Sequence, residues 1–138
     1  MEAFRDLSRK RSEPSAELDR LAHAVIGAAI EVHKLLGPGH LESVYEAALC
    51  VELELSGIRF SKQFAYGIEY KGRQVGSGRI DLLVDDQLMV ELKSCDGIAP
   101  IHTAQILSYL KVTGRILGLI INFNVVLLQD GIKRVVRS

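Results

Sequence analysis

The chain has 138 residues and is formally neutral, with 17 Lys plus Arg against 17 Asp plus Glu, and 48% of its residues are apolar. That length suits one domain able to bury a core without staples, and the charge balance excludes a global positive field, so any nucleic-acid binding must come from a local patch. Cys50 and Cys95 lack CxxC spacing and read as free thiols in a reducing cytoplasm, the first residues lack the apolar core of a signal peptide, and no apolar run reaches membrane-spanning length, so no membrane partner is expected.

Residues 1–14, with Arg9-Lys10-Arg11 ahead of Pro14, are expected to form a flexible basic arm, and residues 15–138 a single domain. Ser15 is placed to cap a helix running to about Leu36, with Glu17 and Asp19 in its first turn where the dipole favours them. Leu18, Leu21, Val25, Ala28, Val32 and Leu35 form its apolar stripe. Gly37-Pro38-Gly39 ends that helix, and a second runs from near Leu41 to about Ser56, stopped by Gly57. Glu42 stands in its first turn, with Tyr45 and Glu46 one turn on. A glutamate there also simply complements a helix start, and Tyr45 also reads as core with its hydroxyl at the surface. His33 and His40 flank the glycines and receive no role.

From Ile58 the pattern turns to β. Phe64 to Tyr70 alternates, Lys71-Gly72 makes a turn, and Arg73 to Val84 forms the next strand. Gly76 and Gly78 predict a bulge or close approach that clears space just before Asp81. Beyond the following hairpin, Ser94 to Ala99 reads as a loop. Pro100 opens a helix of about fourteen residues closed by Gly114, with Ile101, Ala104, Ile106, Leu107, Leu110 and Val112 as its apolar positions. Gln105 and Tyr109 lie one turn apart on it. Leu117 to Phe123 is apolar throughout, as in a central parallel strand. Val125 to Gln129 and Lys133 to Val136 are expected to pair around Asp130-Gly131, and Lys133, Arg134 and Arg137 make a modest basic tail. The order ααβββαβββ describes an α/β fold, a mixed sheet with two N-terminal helices and a right-handed crossover helix.

The chemistry concentrates in Arg79-Ile80-Asp81-Leu82-Leu83-Val84-Asp85-Asp86-Gln87-Leu88-Met89-Val90-Glu91-Leu92-Lys93. Two β-branched-rich runs flank an acidic turn, and alternation puts Glu91 and Lys93 on one face. A three-residue connection at Asp85-Asp86-Gln87 places Asp81 opposite Glu91, whereas a two-residue turn separates them unless a bulge restores the phase. The expectation is the odd-length turn or a bulge. Two carboxylates so close repel unless a cation sits between them, and hard oxygen ligands suit Mg²⁺. A neighbouring lysine can orient a water or neutralise charge building on a phosphorus-centred transition state. The expected chemistry is metal-assisted hydrolysis of a phosphodiester; the plainer alternative is a surface hairpin whose Glu91 and Lys93 form a solvated ion pair.

Gly39-His40-Leu41-Glu42-Ser43-Val44-Tyr45 spells G-x-x-E-x-x-Y. It is preceded by Ile26 to Lys34 and Leu36-Gly37-Pro38, and followed by Asp81 to Val84, Val90-Glu91-Leu92-Lys93, His102 to Gln105, Tyr109-Leu110-Lys111 and Ile120 to Phe123. In these blocks the chain resembles the small GxxExxY proteins of the PD-(D/E)XK nuclease-like superfamily over about residues 18 to 137. The resemblance implies a restriction-endonuclease-like core in which Asp81, Glu91 and Lys93 match the acidic, acidic and basic positions, and Glu42 the supplementary helical glutamate. It implies Mg²⁺, with Mn²⁺ as a substitute, held by Asp81, Glu91, Glu42 and the backbone carbonyl of Leu92, with Lys93 positioning the attacking water. Gln105 and Tyr109 match a Q-x-x-x-Y element beside the substrate strand, and Tyr45 is grouped with them as substrate-binding. Ile80 stands where the superfamily often has proline, and Asn124 where the family commonly has glycine; no ligand is lost by either.

The resulting expectation is a Mg²⁺-dependent nuclease acting on DNA rather than RNA, cytoplasmic, with a homodimer compatible. The alternative is a non-catalytic nucleic-acid-binding or protein-interaction module that retains the fold, or a subunit whose specificity a partner supplies.

Overall fold

The structure, a computed structural model, describes residues 13–137. The basic arm expected over residues 1–14 therefore lies outside the described residues except for its last two positions. Helix α1 spans Ala16–Leu36 and α2 Glu42–Leu55; strands β1 (Phe60–Tyr70), β2 (Arg73–Val84) and β3 (Leu88–Lys93) follow. Helix α3 (Pro100–Thr113) crosses to β4 (Leu117–Asn122), and a 3₁₀ turn at Leu128–Gly131 leads into β5 (Ile132–Val136). Among the described residues no helix is long and apolar enough to cross a membrane.

The ends of the elements follow from local chemistry. The Ser15 hydroxyl accepts from the Leu18 N–H at 3.1 Å, satisfying one of the free donors of α1. Pro100 starts α3, whose first turn is tied by the Ala99 N–H donating to His102 Nδ1 at 3.0 Å, and Gly114 closes the helix.

One sheet runs β1-β2-β3-β4-β5, antiparallel except for the parallel β3/β4 pair that the α3 crossover joins. The fold class is the expected α/β with a mixed sheet, but it has five strands where the sequence pattern predicted six. Val125 to Gln129 forms no strand. The chain instead tightens into the 3₁₀ turn, and β5 returns antiparallel along β4, with Leu117 facing Val136 and Ile121 facing Ile132. Gly131 is used for close approach rather than for a hairpin: a Cβ there would lie 2.1 Å from the Asn122 carbonyl oxygen.

Helices α1 and α2 cover one face of the sheet and α3 the other. Val25, Val32, Leu49 and Leu53 pack with Leu82, Val84, Val90, Leu92, Leu119 and Ile121 on the first face. On the second, Ile106 and Leu110 pack with Leu83, Met89, Ile120 and Val135. The predicted stripe of α1 ends differently: Leu35 is 75% exposed, while Ala22, Ala29 and His33 are buried. The buried stripe drifts because His33 turns inward and its Nε2 pairs with the Val125 carbonyl at 2.8 Å. Only Ile106 and Leu110 of the six apolar positions of α3 are buried, so this helix rests on the sheet by a narrow seam.

Apart from a bulge where Ile68 and Glu69 oppose Gly76 and Gln74, strands β1 and β2 reverse face together at one place. Phe60 packs with the first cluster and Phe64 with the second; Leu82 and Val84 belong to the first and Ile80 to the second. Residues an even number apart should share a face, so the alternation slips between them. The slip falls at Gln63 and Asp81, which lie across from each other between the pairs Lys62/Leu82 and Phe64/Ile80 but are not themselves paired. Gln63 adopts φ 51°, a left-handed conformation uncommon for such a residue.

Candidate active site at the end of strand β3

The β2/β3 hairpin has the odd connection that brings Asp81 and Glu91 together. Val84 pairs with Leu88, Leu83 with Met89 and Leu82 with Val90, leaving Asp85, Asp86 and Gln87 as the link. Asp85 and Asp86 both take positive φ, and Gln87 N–H closes the turn on the Val84 carbonyl at 3.0 Å. Continuing that register sets Asp81 against Glu91. There the side chains replace the ladder: the Asp81 N–H donates to Glu91 Oε1 at 2.9 Å, and the Leu92 N–H donates to Asp81 Oδ2 at 2.8 Å. N–H and C=O of one strand residue project to the same edge, so the Leu92 carbonyl also opens toward Asp81.

Glu42 arrives from α2. Its helix begins without a side-chain cap, and Glu42 Oε1 instead accepts from the Ser94 N–H at 3.3 Å, immediately after Lys93. The Ser94 hydroxyl donates to the His40 carbonyl at 2.6 Å, so the end of β3 and the start of α2 hold each other. Tyr45 locks the same turn from beneath. It is fully buried, stacked on Phe123 with ring centroids 4.3 Å apart, and its hydroxyl donates to the Gly37 carbonyl at 2.6 Å and accepts from the His40 N–H at 3.1 Å. The expected substrate-binding role of Tyr45 is therefore replaced by a structural one, because no surface of it is left for a ligand.

Electrostatics mark Glu91 as the centre of this group. Burial, then the neighbouring charge of Asp81, push its carboxyl up to about 7 from an ordinary 4.5. The Asp81 N–H and the Lys93 ammonium pull the other way, and Glu42 adds a further push. Lys93 is half-buried, on the Glu91 face of β3. Asp81, Glu42, Glu46, Gln63 and Ser94 line a cleft of about 570 Å³. A smaller hollow of about 250 Å³ at the opposite end of the hairpin holds only the solvated Arg59–Asp85 pair and Asp86 among charged groups.

Tyr109 approaches from α3, half-buried, its ring 5.0 Å from that of Tyr66. Burial, then Tyr109, and less strongly Glu91, raise the Tyr66 phenol above its usual range. Gly78 does not clear space for an ion: a Cβ there would lie 2.1 Å from the Tyr66 hydroxyl, so its vacancy seats that ring, and nothing lies near Gly76. Gln105 is exposed, one turn before Tyr109.

The donor set fits a hard divalent cation by its chemistry. Burial first, then the charge of Asp81, opposes ionisation of Glu91, which is the situation a cation relieves. Glu91 commits one oxygen to a main-chain N–H and keeps the other, while Asp81 commits Oδ2 to the Leu92 N–H and meets only the Gln63 amide, at 3.4 Å, with Oδ1. Among the described residues no three His, Cys, Asp or Glu side chains are already drawn into a ligating cage. The carboxylates are neighbours without being closed around a point.

Some participants were not legible in the chain order. Glu46 shares the Glu42 face of its helix with no chemistry evident from spacing, and Gln63 and Tyr66 sit in a strand whose sequence gives no sign of a site. Asn122 carried a signal, an amide closing an apolar run; it is 1% exposed and its amide donates to the Cys95 carbonyl at 3.0 Å while accepting from the Cys95 N–H at 3.2 Å, fixing the loop after Lys93.

A sequence model of the PD-(D/E)XK nuclease superfamily matches residues 19–135. Among solved structures, the crystal structure of SSO0001 is similar, with a TM-score of 0.52 at 16% identity over 70% of this chain and 50% of that one. This chain thus spans half the length of that protein, and the likeness is one of fold. No curated protein matches the chain.

Proposed function

Because the chain belongs to the PD-(D/E)XK nuclease superfamily, we propose that it is a Mg²⁺-dependent nuclease hydrolysing phosphodiester bonds in DNA, of the GxxExxY kind by its Gly39 to Tyr45 motif. The observation that carries this reading is the interlocking of Asp81 with Glu91 and Leu92 at the end of β3, with Glu42 held by the Ser94 N–H just past Lys93. Asp81, Glu91, Glu42 and the Leu92 carbonyl would hold Mg²⁺ or Mn²⁺. When bound, the ion supplies positive charge at the phosphate and makes a water acidic enough to attack near neutral pH.

The remaining work falls to side chains. Lys93, a compact cation on the Glu91 face, orients the attacking water and offsets charge growing on the phosphate oxygens. Ser94 keeps the Glu42 carboxylate over the end of β3 through its N–H. Tyr109, steadied by Tyr66, and the exposed Gln105 flank the path of the substrate strand. Their aromatic faces and amide suit sugar–phosphate and base contacts without sequence readout.

The test is calorimetric titration of Mn²⁺ into wild type and Glu91→Ala, with cleavage assays on single- and double-stranded DNA and RNA. Binding and cleavage are expected to fall together in the mutant, with DNA cut in preference to RNA. Metal binding unchanged by the substitution removes Glu91 from the site. The second reading, a non-catalytic nucleic-acid-binding or protein-interaction module, draws on the lack of a closed cage among the described residues; nucleic-acid binding with no cleavage under any divalent ion would favour it.

A further inference from the structure

Gln63 stands where two strands change face together. Its backbone is left-handed at φ 51°, it lies across from Asp81, and the β1/β2 ladder leaves these two unpaired while continuing on either side. Nothing in the sequence around Gln63 demands this conformation, since glutamine is extended without difficulty in a strand and its neighbours Lys62 and Phe64 are not glycines. What the conformation achieves is visible in the side chain. Gln63 Nε2 donates to both carboxylate oxygens of Glu46 on α2, each at 3.1 Å, and reaches Asp81 Oδ1 at 3.4 Å. One neutral amide therefore sits between two carboxylates from different elements, on the wall of the cleft they share.

An amide nitrogen carries two N–H donors and no charge. Placed between Glu46 and Asp81, it satisfies an oxygen of each and screens their mutual repulsion without neutralising either. The oxygen of Asp81 that it approaches is Oδ1, the one not committed to the Leu92 N–H. Gln63 thus bears on the Asp81 oxygen available to a ligand, while Glu46 anchors the amide from the helix that also carries Glu42.

We propose that Gln63, anchored by Glu46, is a positioning residue of this site: its amide holds the free oxygen of Asp81 toward the cleft, and the left-handed backbone at this point of β1 is retained for that purpose. The inference rests on the cation-binding reading of the site and adds to it a residue outside the acidic and basic set.

The test compares Mn²⁺ affinity by calorimetry with thermal unfolding in the full chain, for wild type, Glu91→Ala, Gln63→Gly and Glu46→Gln. Glycine accepts the left-handed backbone and lacks the amide. Gln63→Gly is therefore expected to keep or raise the melting temperature while weakening Mn²⁺ binding about tenfold, the scale seen when a residue supporting a ligand is removed. Glu46→Gln is expected to weaken binding in the same direction by a smaller factor, and it carries the test if the glycine variant fails to fold. Unchanged affinity in both variants, beside binding that Glu91→Ala abolishes, overturns the proposal and leaves the cation site standing. A lower melting temperature with unchanged affinity makes Gln63 a structural residue and overturns it equally. Wild type that binds no Mn²⁺ overturns the cation reading, and with it the purpose assigned here to Gln63.

Discussion

Glu91 ties the stability of the metal-free protein to pH. Its folded carboxyl titrates at about 7 against 4.5 when unperturbed, so between those values the native state holds a proton that the unfolded state has lost. Stability therefore falls as pH rises through this window, and below it the group contributes nothing. At pH 8 the penalty is at most about 3 kcal/mol. Glu91→Gln, which keeps an oxygen for the Asp81 N–H and never ionises, is expected to be more stable than wild type in urea unfolding at pH 8 and little different at pH 4. The opposite order at pH 8 would mean that the charge is already compensated. Tyr45→Phe addresses the turn beneath Glu42. Removing the hydroxyl leaves the Gly37 carbonyl and the His40 N–H without their partner, an expected loss of about 1–3 kcal/mol by thermal or urea unfolding. The sequence pointed to the acidic and basic residues because ionisable groups inside apolar strands stand out. It misplaced Tyr45, because burial of an aromatic depends on a stacking partner, Phe123, that lies far away in the chain.

Helices were legible from caps and breakers: Ser15, Pro100 and the glycines after α1 and α3 lie where the boundaries fall. The β2/β3 register was legible only as a choice between an odd-length turn and a bulge, since turn length sets which residues oppose one another, and the odd-length turn is the one found. The last hairpin was not. Asp130-Gly131 is a strong turn signal, but Gly131 is required by the approach of the Asn122 carbonyl, a contact between segments that no local pattern encodes. Gly131→Ala is accordingly expected to destabilise by about 1–3 kcal/mol in urea unfolding, the scale of overpacking against a backbone that cannot yield. A neutral result would mean that the 3₁₀ turn shifts freely. The face reversal at Gln63 and Asp81 was equally hidden, because an even spacing of apolar residues gives no warning that the strand turns over between them.

Across the whole molecule, formal neutrality limits how strongly any polyanion can be held. Two phosphate contacts would lose about tenfold in affinity between 50 and 200 mM salt, whereas six to ten would lose about 10³–10⁵. The shallow slope is expected in filter-binding or fluorescence titrations; a steep one would reveal a concentrated basic surface. The sheet itself is uneven. Strands β1 and β2 remain paired out to Tyr70 and Arg73, while β3 accompanies β2 only from Leu82 to Val84. The outer stretch is a two-stranded ribbon that leans on α3 through the Tyr66 and Tyr109 rings. Paired ribbons without a third strand are marginal in water, so its amides should trade deuterium with solvent well before those of the fully buried β4. On the proposed reading, nucleic acid lying along Tyr109 would then meet a bendable arm on one flank and an unyielding floor on the other.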